Sequence, residues 1–193
     1  MATVLFLCTH NSARSQMAEA FLNHLCGGKF KAESAGITPK GINPHVKRAM
    51  AEVGINLSTY RSKSIMEFQG RTFDYVVTVC DQAREQCPFF PGEKQIHMVF
   101  ADPAALTGVN EEILAKVRVV RDEIRQWMDA TFCKGNPDAE TSPKKWKNYY
   151  NERLLEGNKR LPDWDLAHRV NPFFQIERIV WANLPVCRKD LST

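Results

Sequence analysis

The sequence predicts an α/β protein: a three-layer α/β/α sandwich on a four-stranded parallel sheet, with an extra C-terminal tail. Three observations carry this. Short apolar runs alternate with stretches of helical period. The helical stretches are bounded by capping residues or glycines. The alternation stops near residue 130, where the composition turns polar.

The elements follow in order. "TVLFL" (Thr3 to Leu7) is a continuous apolar run, as a strand covered on both faces requires. Met17, Phe21 and Leu25 recur at four-residue spacing and predict a helix that stops at Gly27-Gly28. "FKAESAG" reads as an edge strand. "NPHVKRAMAEVG" is a helix with both ends marked, Asn43-Pro44 at its start and Gly54 past its end. "DYVVTV" (Asp74 to Val79) and "IHMVFA" (Ile96 to Ala101) are the third and fourth strands. Ile113, Val117, Val120, Ile124 and Trp127 mark a long helix from about Glu111 to Ala130. These elements make residues 1–130 the first domain.

Residues 131–193 read as a separate extension, partly helical. It opens on a polar, linker-like stretch, "CKGNPDAETSPKKWKN". "YYNERLLEG" and Phe173 to Leu184 are candidate helices beyond it, and the role of the extension is not legible.

Composition narrows the class. Of 193 residues, 44% are hydrophobic and 25% charged, enough for a sizeable core in an ordinary globular chain. The net charge of +4 is mild and no basic stripe stands out, so neither nucleic acid nor membrane is expected as a partner. No apolar run is long enough for a membrane span, and "MATVLFLC" lacks the basic start of a secretion signal. The expected location is the cytoplasm. The six cysteines are Cys8, Cys26, Cys80, Cys87, Cys133 and Cys187. There they should be reduced, without structural disulfides. Cys26 is expected to be a small packed residue, and Cys133 and Cys187 free thiols. No zinc spacing is present, so neither metal nor cofactor is expected.

The turn between the first strand and first helix is the chemically loaded segment. Cys8, Thr9, His10, Asn11, Ser12, Ala13, Arg14 and Ser15 stand at the carboxyl end of a strand, where parallel sheets bind ligands. Backbone N–H groups and a helix start favour an anion there. Arg14 adds a planar clamp for oxyanions. Ser15, placed at the helix cap, can donate its hydroxyl to the Cys8 sulfur, and Asn11 tolerates a left-handed backbone. The same field should depress the Cys8 pKa. A sulfur beneath an oxyanion cradle suggests attack on phosphorus or arsenic.

"CTHNSARSQMAE", "SAG", "NPHVKRAMAEVGI", "VVTVC" and "DPA" resemble the low-molecular-weight protein tyrosine phosphatases. They are more closely similar to the thioredoxin-coupled arsenate reductase branch of that family, over about Thr3 to Ala130. The resemblance implies reduction of arsenate to arsenite in arsenic detoxification. It assigns Cys8, Arg14, Cys80, Cys87 and Asp102 as catalytic, and residues 9–15 as oxyanion-binding. His10 stands where the pattern usually has glycine, and Ala13 where the reductases often have cysteine. Lys63 stands where an aspartate is usual, so its ammonium is expected to satisfy Glu19 and to leave no dependence on potassium. "DPAAL" lacks the tyrosines that wall a phosphotyrosine pocket, which favours an inorganic oxyanion.

Cys80 ends the third strand, on the edge that carries Cys8. Cys87 lies seven residues on, before Pro88. Were that stretch fully helical, the two Cα atoms would be about 10.5 Å apart along the axis. A disulfide needs roughly 4.4–6.8 Å, so the stretch must unwind to close one. The resemblance then implies a redox-active relay from Cys8 to Cys80 to Cys87, recharged by thioredoxin or a related dithiol protein. Two alternatives stand beside it. One is a phosphatase in which Cys80 only protects Cys8. The other is a non-catalytic oxyanion or redox sensor.

Overall fold

The computed structural model of this chain describes residues 1–81, 83, 90–135 and 137. Four parallel strands form one sheet: β1 (Ala2–Cys8), β2 (Phe30–Gly36), β3 (Phe73–Thr78) and β4 (Gly92–His97), in the order β2-β1-β3-β4. The register pairs Cys8 with Gly36, Leu7 with Thr78, and Thr78 with His97. All four strands therefore end along one edge. The chain order reverses between β1 and β3, and the crevice above such a reversal is where open α/β sheets bind ligands.

β1 is central and buried from Val4 to Cys8, as its unbroken apolar run requires. Its side chains alternate between two cores. Phe6 meets an aromatic cluster around Phe132, whose ring lies 5.4 Å from Phe30, 5.6 Å from Trp127 and 5.9 Å from Tyr75. Such edge-to-face pairs contribute about 0.5–1.5 kcal/mol each beyond their area. Leu5 and Leu7 join Ala35, Val76, Phe73 and Phe90 on the other side, under a short 3-10 turn that supplies Ile65 and Phe68.

The helices are α1 (Arg14–Cys26), α2 (Pro44–Ala51) and α3 (Asn110–Met128). α3 packs on both α1 and α2. Asn43 caps α2 by accepting from the His45 N–H, with Pro44 at the first helical position. Buried Arg121 ties α3 to α2 by donating to the Ala49 carbonyl at 2.9 Å. Among the described residues no helix is long and apolar enough to cross a membrane.

Two expectations need correction. The fourth strand is Gly92–His97, four residues earlier than "IHMVFA". It is an edge strand with half-exposed faces, so its residues are polar and the apolar run beside it belongs to the loop that follows. A π-helical turn, Asp129–Cys133, continues α3 and buries Thr131 and Phe132. Finally, Cys26 and Cys133 are bonded to each other, with Cα atoms 5.6 Å apart across 107 residues of chain. The end of α1 and the end of the π turn meet there because Phe132 plugs the aromatic core. The candidate helices of the extension, Cys187 and Cys87 lie outside the described residues.

Candidate active site

Cys8 is the last residue of β1 and Arg14 the first of α1. The five residues between them wrap around the sulfur, and the wrapping has a definite polarity. Six consecutive carbonyls face outward and accept from the surroundings. Cys8, Thr9 and His10 accept from the N–H groups of Ile37, Thr38 and Lys40. Asn11 accepts from the Ser62 hydroxyl at 2.6 Å and from Gln16 Nε2. Ser12 and Ala13 accept from the N–H groups of Asn43 and Met17. A loop whose carbonyls all point out turns its N–H edges inward, and that concavity suits an anion. The Asn11 N–H already points at the Cys8 sulfur, 3.0 Å away.

Two residues make so tight a curl possible. Asn11 has φ +47°, the left-handed region that Asn tolerates. Gly36, at the end of β2, lets the loop lie against the strand: a Cβ there would sit 2.7 Å from the Asn11 nitrogen and 2.9 Å from its Cβ. Any side chain at position 36 would lift the loop off the sheet.

The Ser15 hydroxyl lies 2.8 Å from the Cys8 sulfur. Ser15 does so from inside the helix, since α1 starts at Arg14 and Ala13 takes the cap position. Arg14 reaches across to the loop after β4, with Nη2 2.9 Å from Asp102 and Nη1 donating to the Phe100 carbonyl. Asp102 also caps the next turn by accepting from the Ala104 N–H. Arg14 and Asp102 thus face each other beside the loop.

The thiol does not have the depressed pKa expected of it. Burial pushes Cys8 above the usual thiol value; Ser15, the Asn11 N–H and Arg14 pull it down, while Cys80 pushes it further up. The cost of removing a charge from water outweighs the three stabilising contacts. His10 moves the other way: burial and nearby Lys40 lower its pKa, so its ring is neutral at pH 7. His10 sits half-buried on the rim of the loop.

Cys80 follows β3, and it is buried, at 3% exposure. Its sulfur lies 3.5 Å from the Thr9 hydroxyl, which joins the neighbouring strand end to the loop. Cys8 and Cys80 are both free thiols. Next to Cys80, His97 contacts the Thr78 hydroxyl at 2.7 Å and Asp81 at 3.3 Å. The structure therefore brings together Cys8, Thr9, His10, Asn11, Ser12, Ala13, Arg14, Ser15, Cys80 and Asp102 at one sheet edge; Cys87 lies outside the described residues. Among the described residues no three His, Cys, Asp or Glu side chains gather as a metal-holding group.

Sequence reasoning assigned no role to Gly36, Gln16 or Ser62. Gln16 and Ser62 hold the Asn11 carbonyl, and Gly36 gives the loop room. Only Gly36 carried a signal: a glycine ending a strand marks a close backbone approach.

Comparison with known proteins fits this geometry. The family model for low molecular weight phosphotyrosine protein phosphatase matches residues 3–130. Arsenate reductase from Halalkalibacterium halodurans is 43% identical over 122 residues, which cover 63% of this chain and 88% of the relative. Arsenate reductase from Bacillus subtilis is 44% identical over 122 residues, with the same coverage. Among solved structures, an arsenate reductase in the phosphate binding state matches with a TM-score of 0.57 and 28% identity, over 69% of this chain and 98% of that one. An arsenate reductase in oxidized state matches with a TM-score of 0.56 and 30% identity, over 67% and 95%.

Proposed function

This chain belongs to the low molecular weight phosphotyrosine protein phosphatase family and is an arsenate reductase of that fold; from that premise we propose that it reduces arsenate through a relay of Cys8, Cys80 and Cys87, recharged by thioredoxin or a related dithiol protein in the cytoplasm. One observation carries the relay. A second buried thiol, Cys80, stands at the end of the strand beside Cys8, and the Thr9 hydroxyl touches its sulfur. Hydrolysis of a phosphate ester needs no such thiol; reduction does.

Arsenate is held by the inward N–H groups of residues 9–15 and by Arg14. Arg14 exchanges one of its present partners, Asp102 or the Phe100 carbonyl, for the oxyanion. Cys8 meets the substrate as a thiol, so its proton has to leave. The incoming dianion and Asp102, which pairs with Arg14 beside the loop, are the two bases assigned to take it. The Cys8 thiolate attacks arsenic, an arsenate oxygen leaves as water with protons from those groups, and a Cys8–arsenic(V) bond forms.

The Cys80 thiolate then attacks the Cys8 sulfur. The electron pair of the sulfur–arsenic bond passes to arsenic, which leaves as arsenite, and Cys8 and Cys80 are joined. Cys87 attacks the Cys80 sulfur and releases Cys8 as a thiolate. The Cys80–Cys87 bond is the product offered to the external dithiol, which takes up the oxidation.

The test is arsenite production with and without thioredoxin. Wild type is expected to turn over repeatedly only with the dithiol donor, and Cys87→Ser to stop after one equivalent. Repeated turnover by Cys87→Ser with thioredoxin would contradict the relay. Rapid hydrolysis of an aryl phosphate, with no arsenite formed, would contradict the arsenate assignment.

A further inference from the structure

The sulfur of Cys8 is the end of a buried hydrogen-bonded chain that starts at Lys63. The Lys63 ammonium lies 2.9 and 3.1 Å from the two carboxylate oxygens of Glu19. The Ser34 hydroxyl donates to Glu19. Asn11 Nδ2 donates to Ser34 Oγ at 2.8 Å and to Ser15 Oγ at 2.9 Å. Ser15 contacts the Cys8 sulfur. Asn11, Ser15 and Ser34 are wholly buried, and Glu19 is 7% exposed.

The direction of every bond from Lys63 to Ser15 is fixed. Asn11 Oδ1 accepts from the Lys63 backbone N–H at 2.7 Å, so the amide cannot be flipped and Nδ2 must face the two serines. Ser34 spends its one proton on Glu19 and can only accept from Asn11. Ser15 accepts from Asn11 and keeps its own proton, which it can donate to the sulfur once Cys8 is a thiolate. Backbone and side chain of Lys63 thus hold the two ends of one network, the Asn11 amide and the Glu19 carboxylate.

We propose that Lys63 is a positioning residue for Cys8, an internal cation that keeps Glu19 ionised and so aims the Ser15 hydroxyl at the sulfur. Without the ammonium, a buried carboxylate stands alone. It then either opposes a thiolate at Cys8 or takes up a proton and loosens its hold on Ser34. Burial already pushes the Glu19 carboxyl up against the pull of Lys63 and Ser34. The other ionisable groups that face Glu19 are Glu33 and Tyr60. Those that face Cys8 are Cys80 and Arg14.

The inference concerns the reactivity of Cys8 and builds on its reading as the nucleophile, and its test separates the two. In the full chain, the rate of Cys8 carboxamidomethylation, mapped by peptide mass, is followed against pH. The 240 nm absorbance of its thiolate is followed in parallel, relative to Cys8→Ser. Lys63→Met is expected to slow alkylation at neutral pH by about tenfold and move the midpoint up by about one unit. Lys63→Arg should stay within about twofold of wild type, because it keeps the charge on Glu19. Lys63→Met with Glu19→Gln should recover most of the loss. Ser34→Ala, which removes a link without changing a charge, should also move the midpoint up; it carries the test if Lys63→Met fails to fold.

An unmoved midpoint in a folded Lys63→Met or Ser34→Ala variant would overturn the proposal. So would a double variant no better than Lys63→Met. A shifted midpoint with unchanged arsenate turnover would instead uphold Lys63 and contradict Cys8 as the nucleophile.

Discussion

Two pairs of cysteines sit at opposite edges of the sheet, and they are built for opposite ends. Cys8 and Cys80 occupy the carboxyl edge as free, buried thiols among polar groups: the Ser15 and Thr9 hydroxyls, the Asn11 N–H and Arg14. Cys26 and Cys133 occupy the far end of α1, joined to each other beside the aromatic core around Phe132. One helix connects the two places, with Arg14 at its first residue and Cys26 at its last. A sulfur that must react needs donors and a charge nearby. A sulfur that only ties two ends together needs a partner at the right Cα distance. The contrast shows why counting thiols could not sort them. Their neighbours do.

The largest expected effect separates the pairs by activity. Cys8→Ser should lower arsenate reduction by more than about a thousandfold, the usual consequence of losing a nucleophile. Cys26→Ser should leave the rate within about twofold of wild type. An equal loss in both variants, with both chains folded, would erase the distinction between the edges.

The next effect reverses the order. Closing a loop of about a hundred residues contributes about 4.7 kcal/mol in the chain-entropy account. Cys26→Ser should therefore lower the urea midpoint measured without reductant, while Cys8→Ser should barely move it. Adding dithiothreitol should bring wild type down to the Cys26→Ser value. A wild-type midpoint indifferent to dithiothreitol, and equal to that of Cys26→Ser, would mean that the far pair holds nothing together.

The smallest effect probes a carboxyl on α3. Burial lifts Glu123 to about 7. A carboxyl raised in this way favours the folded state fully below its unfolded value of 4.5, and that contribution fades as pH rises through about 7. Glu123→Gln should thus gain melting temperature relative to wild type between roughly pH 5 and 8. A constant difference across that range would show that Glu123 does not titrate there.

The same contrast explains what the sequence could tell and what it could not. The loop around Cys8 was legible because its demands are local. A strand must end, a helix must begin, and Asn11 must accept a left-handed backbone within seven residues. β1, β3 and α3 were legible because burial on defined faces leaves a period. β4 was misplaced because an edge strand leaves no apolar run, and its residues Glu93, Lys94 and Gln95 are exposed. Phe132 and Cys133 read as part of the extension because their partners, Phe30, Tyr75 and Cys26, are distant in the chain. The Cys8 pKa was misjudged for a related reason. The charges that favour a thiolate are visible as letters, whereas the burial that opposes it appears only when β2 and β3 close on either side.

The most direct measurement is a mass map of disulfides after one turnover of arsenate without any external thiol. The relay predicts a Cys80–Cys87 bond in wild type and a Cys8–Cys80 bond in Cys87→Ser, with Cys26–Cys133 unchanged in both. Arsenite released in one equivalent while Cys80 remains a thiol would contradict it.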